Sequence, residues 1–447
     1  MFVYHLLVTF CLADATSMRL LASRLDAAAE EITRLQGASV AVGLPLTASP
    51  ELAHYEGPLR NLVEWCHSSA AEIRRRAAIA AQADLIGWTP SGDNTAYDAL
   101  MTAAAGGLDD QLAAFDALGP GGDMAAFFAV LTPAQALGVA LARAAQVGAR
   151  AGVPFELRFA ANRQLVRQAH AEAVRVGDKA AAARYAELLN PDRQLLLFDP
   201  RGQGKIAEVR GDLATARHVA ILVPGTGNSL ANYLGGPEKD FKAIHLTAAG
   251  LSADTATIVW MGAPLPQSLG AAAFDLYADR SAPKLKDFVD DLRLRPEVHT
   301  TLIGHSYGST VTGHAVKAGL HPDNLIAVAS PGWGVQAAGD LNAPDTKLFA
   351  MRHQGDIIKL VPTADETLGI FIPLPDTIAG HGEDPVFMPG VERLASGSEA
   401  DPGFGIDMDA HSDYFGGSEA GRRAAMNLAK VVVGVDSETY EEARAAL

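Results

Sequence analysis

The sequence predicts an α/β protein: a mostly parallel sheet preceded by an α-helical N-terminal domain. Two observations carry this. The hydrophobic period changes from helical to strand-like near residue 191, and a Gly-His-Ser-Tyr-Gly turn sits between an apolar strand and a small-residue helix start. We place the boundary at Pro191-Asp192, giving a helical domain over 1–190 and an α/β domain over 191–447.

In the first part, Met18, Leu21, Leu25, Ala28, Ile32 and Leu35 alternate at spacings of three and four, with Thr16 as N-cap and Gly37 as the residue after the C-cap. Leu59, Leu62, Cys66, Ala70, Ile73 and Ala77 repeat the spacing, and Pro45, Pro50 and Pro58 punctuate the loop between. Two such stripes bury each other as an antiparallel hairpin. Further helices are predicted near 93–105, 133–150 and 160–188. None of these stripes assembles a nucleophile, base and acid, so this half reads as packing or partner-binding.

In the second part, Gln194–Phe198 and Lys205–Val209 form a strand pair around a Gly-rich turn. Short buried-strand runs follow at His218–Val223, Thr257–Trp260, His299–Ile303, Leu325–Ala329 and Lys347–Met351. Helical stretches such as Ala271–Tyr277 and Lys284–Leu292 separate them, as a parallel sheet requires.

Composition excludes several classes. With 49% hydrophobic and 20% charged residues the chain folds rather than staying disordered. A net charge of −16 without a basic run argues against a nucleic-acid partner. Cys11 and Cys66 make neither a disulfide framework nor a metal spacing, so no metal or cofactor is expected and the two thiols read as unrelated and buried. No apolar run reaches the length of a membrane span. Met1–Leu12 is apolar and Ala13-Asp14-Ala15 resembles a small-x-small cleavage site, but no Lys or Arg precedes the run and His5 and Thr9 interrupt it, so residues 3–12 fit a starting strand or helix about as well as a signal peptide.

The turn at 304–308 has the form of a nucleophile elbow. Ser306 must be lifted above the sheet edge on a strained turn, and side chains at 304 or 308 would collide with neighbouring backbone. In that arrangement an acid and a histidine follow in chain order. Asp356, in the loop after the strand ending at Met351, is the candidate acid; Asp340, Asp365 and Asp384 are rivals. His411 is the candidate base, because it precedes a terminal helix starting near Ser418; His381 competes with it. His305 is expected to point away from the site, and His314 to be structural. The oxyanion of an acyl-transfer intermediate needs backbone donors. The Tyr307 amide supplies one, and the loop Val223–Asn228 offers Thr226, Gly227 and Asn228 for the other. That loop lacks the G-x-x-x-x-G-K-S/T and G-x-G-x-x-G patterns of a phosphate cradle. A Pro- and Gly-rich segment from Glu366 to Gly405, including Leu368–Leu374, suggests a cover over an acyl pocket or an extra strand.

Taken together, VAILVPGTGN (219–228), TIVWMGA (257–263), LIGHSYGSTVTG (302–313), ASPGWGV (329–335), HGEDP (381–385) and HSDYF (411–415) resemble an actinobacterial α/β-hydrolase family catalogued as a domain of unknown function. The resemblance covers about residues 193–435 and implies a Ser/Asp/His hydrolase, with Ser306, Asp356 and His411 as the triad. It departs after HGEDP, where such proteins tend to show Phe-Gly-Ala and this chain reads Val386-Phe387-Met388. Some relatives carry a helical hairpin similar to WXG-type secreted proteins. Here the loop 37–58 has no tryptophan, and no tyrosine is followed four residues on by Asp or Glu, so a cytoplasmic location is expected. The expected activity is hydrolysis of a small-molecule ester with an apolar acyl group through a Ser306 acyl-enzyme, the alternatives being an acyltransferase or a non-catalytic binding or scaffold protein.

Overall fold

A computed structural model describes residues 15–41, 59–60, 62–64, 66–67, 70–71, 74, 103–119, 122–360, 381–400, 407 and 409–447. The chain divides into two compact units, Met1–Ala136 and Leu137–Leu447.

In the first unit, helix α1 (Ala15–Ala41) runs past Gly37, the expected stop. The described residues between 59 and 74 are helical too. Asp26 joins the two stretches, lying 3.0 Å from His67 Nδ1 and accepting a hydrogen bond from Arg74. Ala22, Ala29, Cys66 and Ala70 are buried. Cys66 is a free thiol, whereas Cys11 lies outside the described residues, as do residues 93–102 of a predicted helix. Helices α2 (Leu108–Ala117) and α3 (Met124–Val130) bring Phe115, Phe127 and Phe128 together, with Phe127 and Phe128 edge-to-face at 5.1 Å between centroids. Asp123 caps α3 by accepting from the Ala126 amide at 3.1 Å.

The second unit begins inside helix α4 (Pro133–Ala142), so the boundary expected at 191 falls within it. The predicted helix over 160–188 is two helices, α5 (Phe155–Val176) and α6 (Lys179–Leu188). Gly177 ends α5 at φ +77°, and the Asp178 carboxylate caps α6 through the Ala181 amide at 2.9 Å. Both helices belong with the sheet. Val166, Ala173, Tyr185 and Leu188 lie in the same buried cluster as Leu195, Phe198 and Ile206. Arg158 and Asn162, both fully buried on α5, donate to the carbonyls of Leu196 (3.1 Å) and Leu195 (2.9 Å).

Strands β1 (Gln194–Asp199), β2 (Lys205–Arg210), β3 (His218–Val223), β4 (Thr255–Met261), β5 (His299–His305), β6 (Asn324–Val328), β7 (Lys347–Met351) and β8 (Glu392–Arg393) form one sheet in the order 1-2-4-3-5-6-7-8. β1 and β2 are antiparallel neighbours, β2 is antiparallel to β4, and the remaining pairs are parallel. The two-residue β8 is too short for a pattern to reveal.

Both faces are covered, which accounts for strands that read as unbroken apolar runs. Helices α7 (Pro237–Leu251) and α10 (Glu419–Val432) lie on one face with Phe241, Ile244, Leu428 and Val432 in its core. Helices α8 (Leu276–Asp290) and α9 (Tyr307–Lys317) lie on the other with Leu285, Val311, Trp260 and Trp333. The stretch expected as a helix over 284–292 starts earlier, at Leu276, and carries Pro283 inside it. The helix tolerates that proline because a buried face outweighs one lost backbone bond. Among the described residues no helix is long and apolar enough to cross a membrane, and no cluster of metal-ligating side chains occurs.

Candidate active site

β5 delivers the chain into a tight turn. Ser306 adopts φ 53°, ψ −131°, a region that a residue with a Cβ adopts only when its surroundings impose it. Those surroundings are tightly built. A Cβ on Gly308 would stand 2.0 Å from the Val223 carbonyl oxygen, and one on Gly304 2.3 Å from Ser309 Cα. Both glycines are therefore steric requirements, because backbone cannot yield as a flexible side chain can. Gly225, at the end of β3, presses against the serine itself: a Cβ there would lie 2.6 Å from Ser306 Cβ and 3.0 Å from its Oγ.

His411, in a short 3₁₀ turn (Asp409–His411), bridges the other two predicted residues. Its Nε2 lies 2.9 Å from Ser306 Oγ and its Nδ1 lies 2.7 Å from Asp356 Oδ1. Asp356 is fully buried. Burial pushes its carboxyl pKa up, but bonding and charge from His411, then the Tyr414 hydroxyl at 2.5 Å and the Ile358 amide at 2.8 Å, hold it below the usual value. It stays ionised, with the geometry to fix one tautomer of His411.

The two described rivals are elsewhere. Asp340 accepts from the Ala337 amide at 3.0 Å, Asp384 is bound by Arg352, and Asp365 lies outside the described residues. His381 is buried with Nδ1 2.8 Å from Asp275 Oδ1 and its ring edge-to-face with that of Tyr307. Residues 361–380 and 401–406, most of the expected cover including Leu368–Leu374, also lie outside the described residues.

One oxyanion candidate needs correction. The Gly227 amide donates to the Pro266 carbonyl at 2.8 Å and is not free to face a ligand. The Asn228 side-chain amide turns back onto the Gly225 carbonyl at 3.0 Å and holds the loop's shape. Thr226, which follows the glycine packed on Ser306, and Tyr307, at the first position of α9, have amides that no acceptor among the described residues takes. The loop is held by the Asn232 side-chain amide, which donates to the Gly227 carbonyl at 2.9 Å, and the turn that follows it is anchored on the sheet. Tyr233 donates to Glu208 on β2 at 2.5 Å, and Arg193 grips the same buried carboxylate at 2.8 and 3.0 Å.

Sequence reasoning missed two supporting residues. Tyr414 donates to Asp356 while accepting from the His353 amide at 2.7 Å; burial, then the Asp356 charge, raises its phenol pKa well above the ordinary value. Its position three residues after His411 was the available signal. His305 does not point away from the site. Its Nε2 lies 2.9 Å from the His411 carbonyl oxygen, and its ring lies against His411, Tyr414 and Phe415. Burial and the neighbouring His411 hold its pKa down at about 4, so a neutral ring donates to that carbonyl.

The sheet order, the elbow after β5, an acidic loop after β7 and a histidine before the last long helix define an α/β-hydrolase domain. Residues 199–365 match the family model described as alpha/beta hydrolase, a span holding Ser306 and Asp356 but ending before His411. That segment is similar to this α/β-hydrolase family, and the chain is similar to mycobacterial proteins of unassigned function. An uncharacterised protein of Mycobacterium tuberculosis is 28% identical over 254 residues, covering 52% of this chain and 38% of the relative. The chain thus spans well under half the length of that relative. An uncharacterised protein of Mycobacterium bovis is 26% identical over 229 residues, covering 48% of this chain and 81% of the relative. Among solved structures, a dienelactone hydrolase-like promiscuous phosphotriesterase from metagenomic libraries has a TM-score of 0.32 and 15% identity, over 53% of this chain and 95% of that one. A serine hydrolase without a lid from Xanthomonas campestris has a TM-score of 0.24 and 20% identity, over 38% and 74%. Neither bears on this chain's substrate.

Proposed function

We propose that the protein is a serine hydrolase acting on carboxylic esters through an acyl-enzyme on Ser306. The observation that carries this reading is the placement of His411 between Ser306 Oγ and a buried, ionised Asp356. Ser306 Oγ attacks the ester carbonyl carbon while its proton passes to His411 Nε2. The carbonyl oxygen becomes an oxyanion that the Tyr307 and Thr226 amides stabilise. Collapse breaks the bond to the alcohol, which takes the proton from His411. Water, deprotonated by His411, then attacks the acyl-enzyme and releases the acid and free Ser306. Asp356 remains a carboxylate throughout and stabilises the imidazolium. Esters are favoured over amides because the segment between acid and histidine is rich in apolar residues and no charged specificity pocket is legible.

The test is a fluorophosphonate probe with short p-nitrophenyl esters. Wild-type protein should label at Ser306 and hydrolyse the esters, and Ser306→Ala should do neither. Folded wild-type protein that stays unlabelled removes the reading; labelling without hydrolysis redirects it to acyl transfer.

A further inference from the structure

The first turn of α8 lacks the cap its sequence provides for. Asp275 occupies the N-cap position but makes no side-chain cap bond. Its carboxylate faces two histidines instead: Oδ1 lies 2.8 Å from His381 Nδ1 and Oδ2 lies 3.6 Å from His314 Nε2. Those histidines outweigh the effect of burial and bring the Asp275 pKa down to about 2. The amides of a helix's first turn have no partners within the helix and must find one outside it. For Ala278, the third residue of α8, the partner comes from another element: the Tyr307 hydroxyl accepts its N–H at 3.1 Å. The same hydroxyl donates to the Phe274 carbonyl at 2.7 Å. One buried phenol, 1% exposed, thus holds the chain on both sides of Asp275, and the His381 ring stands against its own ring at 5.5 Å and 87°.

Tyr307 also follows the nucleophile. Its backbone N–H is set by the Ser306–Tyr307 peptide, and Ser306 sits in a conformation that relaxes unless it is over-determined. Gly308 packed on Val223, and the Ser309 amide on the Ser306 carbonyl at 2.9 Å, hold that peptide through the backbone. The phenol holds it through a side chain. We propose that the Tyr307 hydroxyl is a positioning group: by capping α8 from outside and tying to Phe274, it fixes the start of α9 and with it the direction of the Tyr307 amide. This rests on the serine-hydrolase reading, in which that amide meets the oxyanion. Donors aimed in advance at developing charge lose their effect when displaced by a fraction of an ångström.

Tyr307→Phe in the full chain tests it, since phenylalanine keeps the ring against His381 and removes only the oxygen. Two measurements are made on wild type and variant: amide hydrogen exchange over 274–282, and the kinetics of p-nitrophenyl butyrate hydrolysis. Exchange at the start of α8 should quicken by about fivefold or more, as for loss of a cap. kcat should fall by about tenfold to a hundredfold with KM little changed, the signature of a contact made in the transition state. Unchanged exchange overturns the cap. Faster exchange with kcat intact makes Tyr307 merely structural and overturns the positioning role. A wild type inert to both ester and fluorophosphonate refutes the hydrolase reading and the positioning role with it, while the exchange result independently decides the cap.

Discussion

Comparing Ser306→Gly with Ser306→Ala isolates the strain at residue 306. Both variants lose the hydroxyl and its contact with His411 at 2.9 Å, so they differ only in whether residue 306 carries a Cβ. At φ 53°, ψ −131° a Cβ costs about 1–3 kcal/mol. Glycine adds freedom to the unfolded chain, which offsets about 0.4–1 kcal/mol of any gain. Taking the middle of each range, the glycine variant should be the more stable by about 1 kcal/mol, roughly a fivefold change in the folding equilibrium. Urea unfolding of both inactive variants, followed by circular dichroism, reads this as a higher midpoint at the same slope. An alanine variant as stable as the glycine variant, or more stable, would show that the turn is relaxed and refute the reasoning.

Other perturbations separate the remaining roles. His411→Ala should lower kcat for ester hydrolysis by several orders of magnitude and Asp356→Asn by about 10²–10⁴-fold, whereas His381→Ala costs far less; a reversed order between the two histidines would sink the assignment. Asp275 has a folded pKa of about 2 against 3.8 unfolded, so its stabilisation is complete above pH 4 and disappears as pH falls toward 2. That shift corresponds to about 2 kcal/mol, so Asp275→Asn should lower the unfolding free energy by this order at pH 6, and the two proteins should converge near pH 2. Equal stability at both pH values would mean the histidines do not favour the charged form. Residues 137–447 should express as a folded domain, while 191–447 should be insoluble or molten because Val166, Ala173, Tyr185 and Leu188 leave the core; a well-folded 191–447 would contradict the packing described here.

The parallel strands were legible because burial on both faces writes them as short apolar runs, and His218–Val223 and Lys347–Met351 match the predicted ends. The elbow was legible because its glycines have backbone neighbours with no room for a Cβ. Asp356 and His411 could be proposed from chain order, but their distances to each other and to Ser306 are set by tertiary contacts that no spacing encodes. The boundary near 191 was misplaced because a helix stripe records only that something covers it. It does not say that the cover for α5 and α6 is the sheet that follows. The oxyanion loop failed in detail for a similar reason: sequence marks Gly227 as pliable but cannot see Pro266 accepting its amide.

The clasp of Arg158 and Asn162 on β1 has a consequence for assembly. β1 is the outermost strand at its end of the sheet, with one pairing edge left over. Its register slips between Leu195 and Leu197, and the carbonyls of Leu195 and Leu196 are taken by side chains of α5. A bare strand edge recruits strands from other molecules, and both a bulge and occupied carbonyls blunt it. Among the described residues no carboxylate lies within bonding distance of the arginine that does this, and burial lowers its pKa to about 10. Its side chain bonds two backbone carbonyls instead, those of Gly148 and Leu196, so this edge of the sheet is blunted by a residue from a helix more than thirty positions upstream.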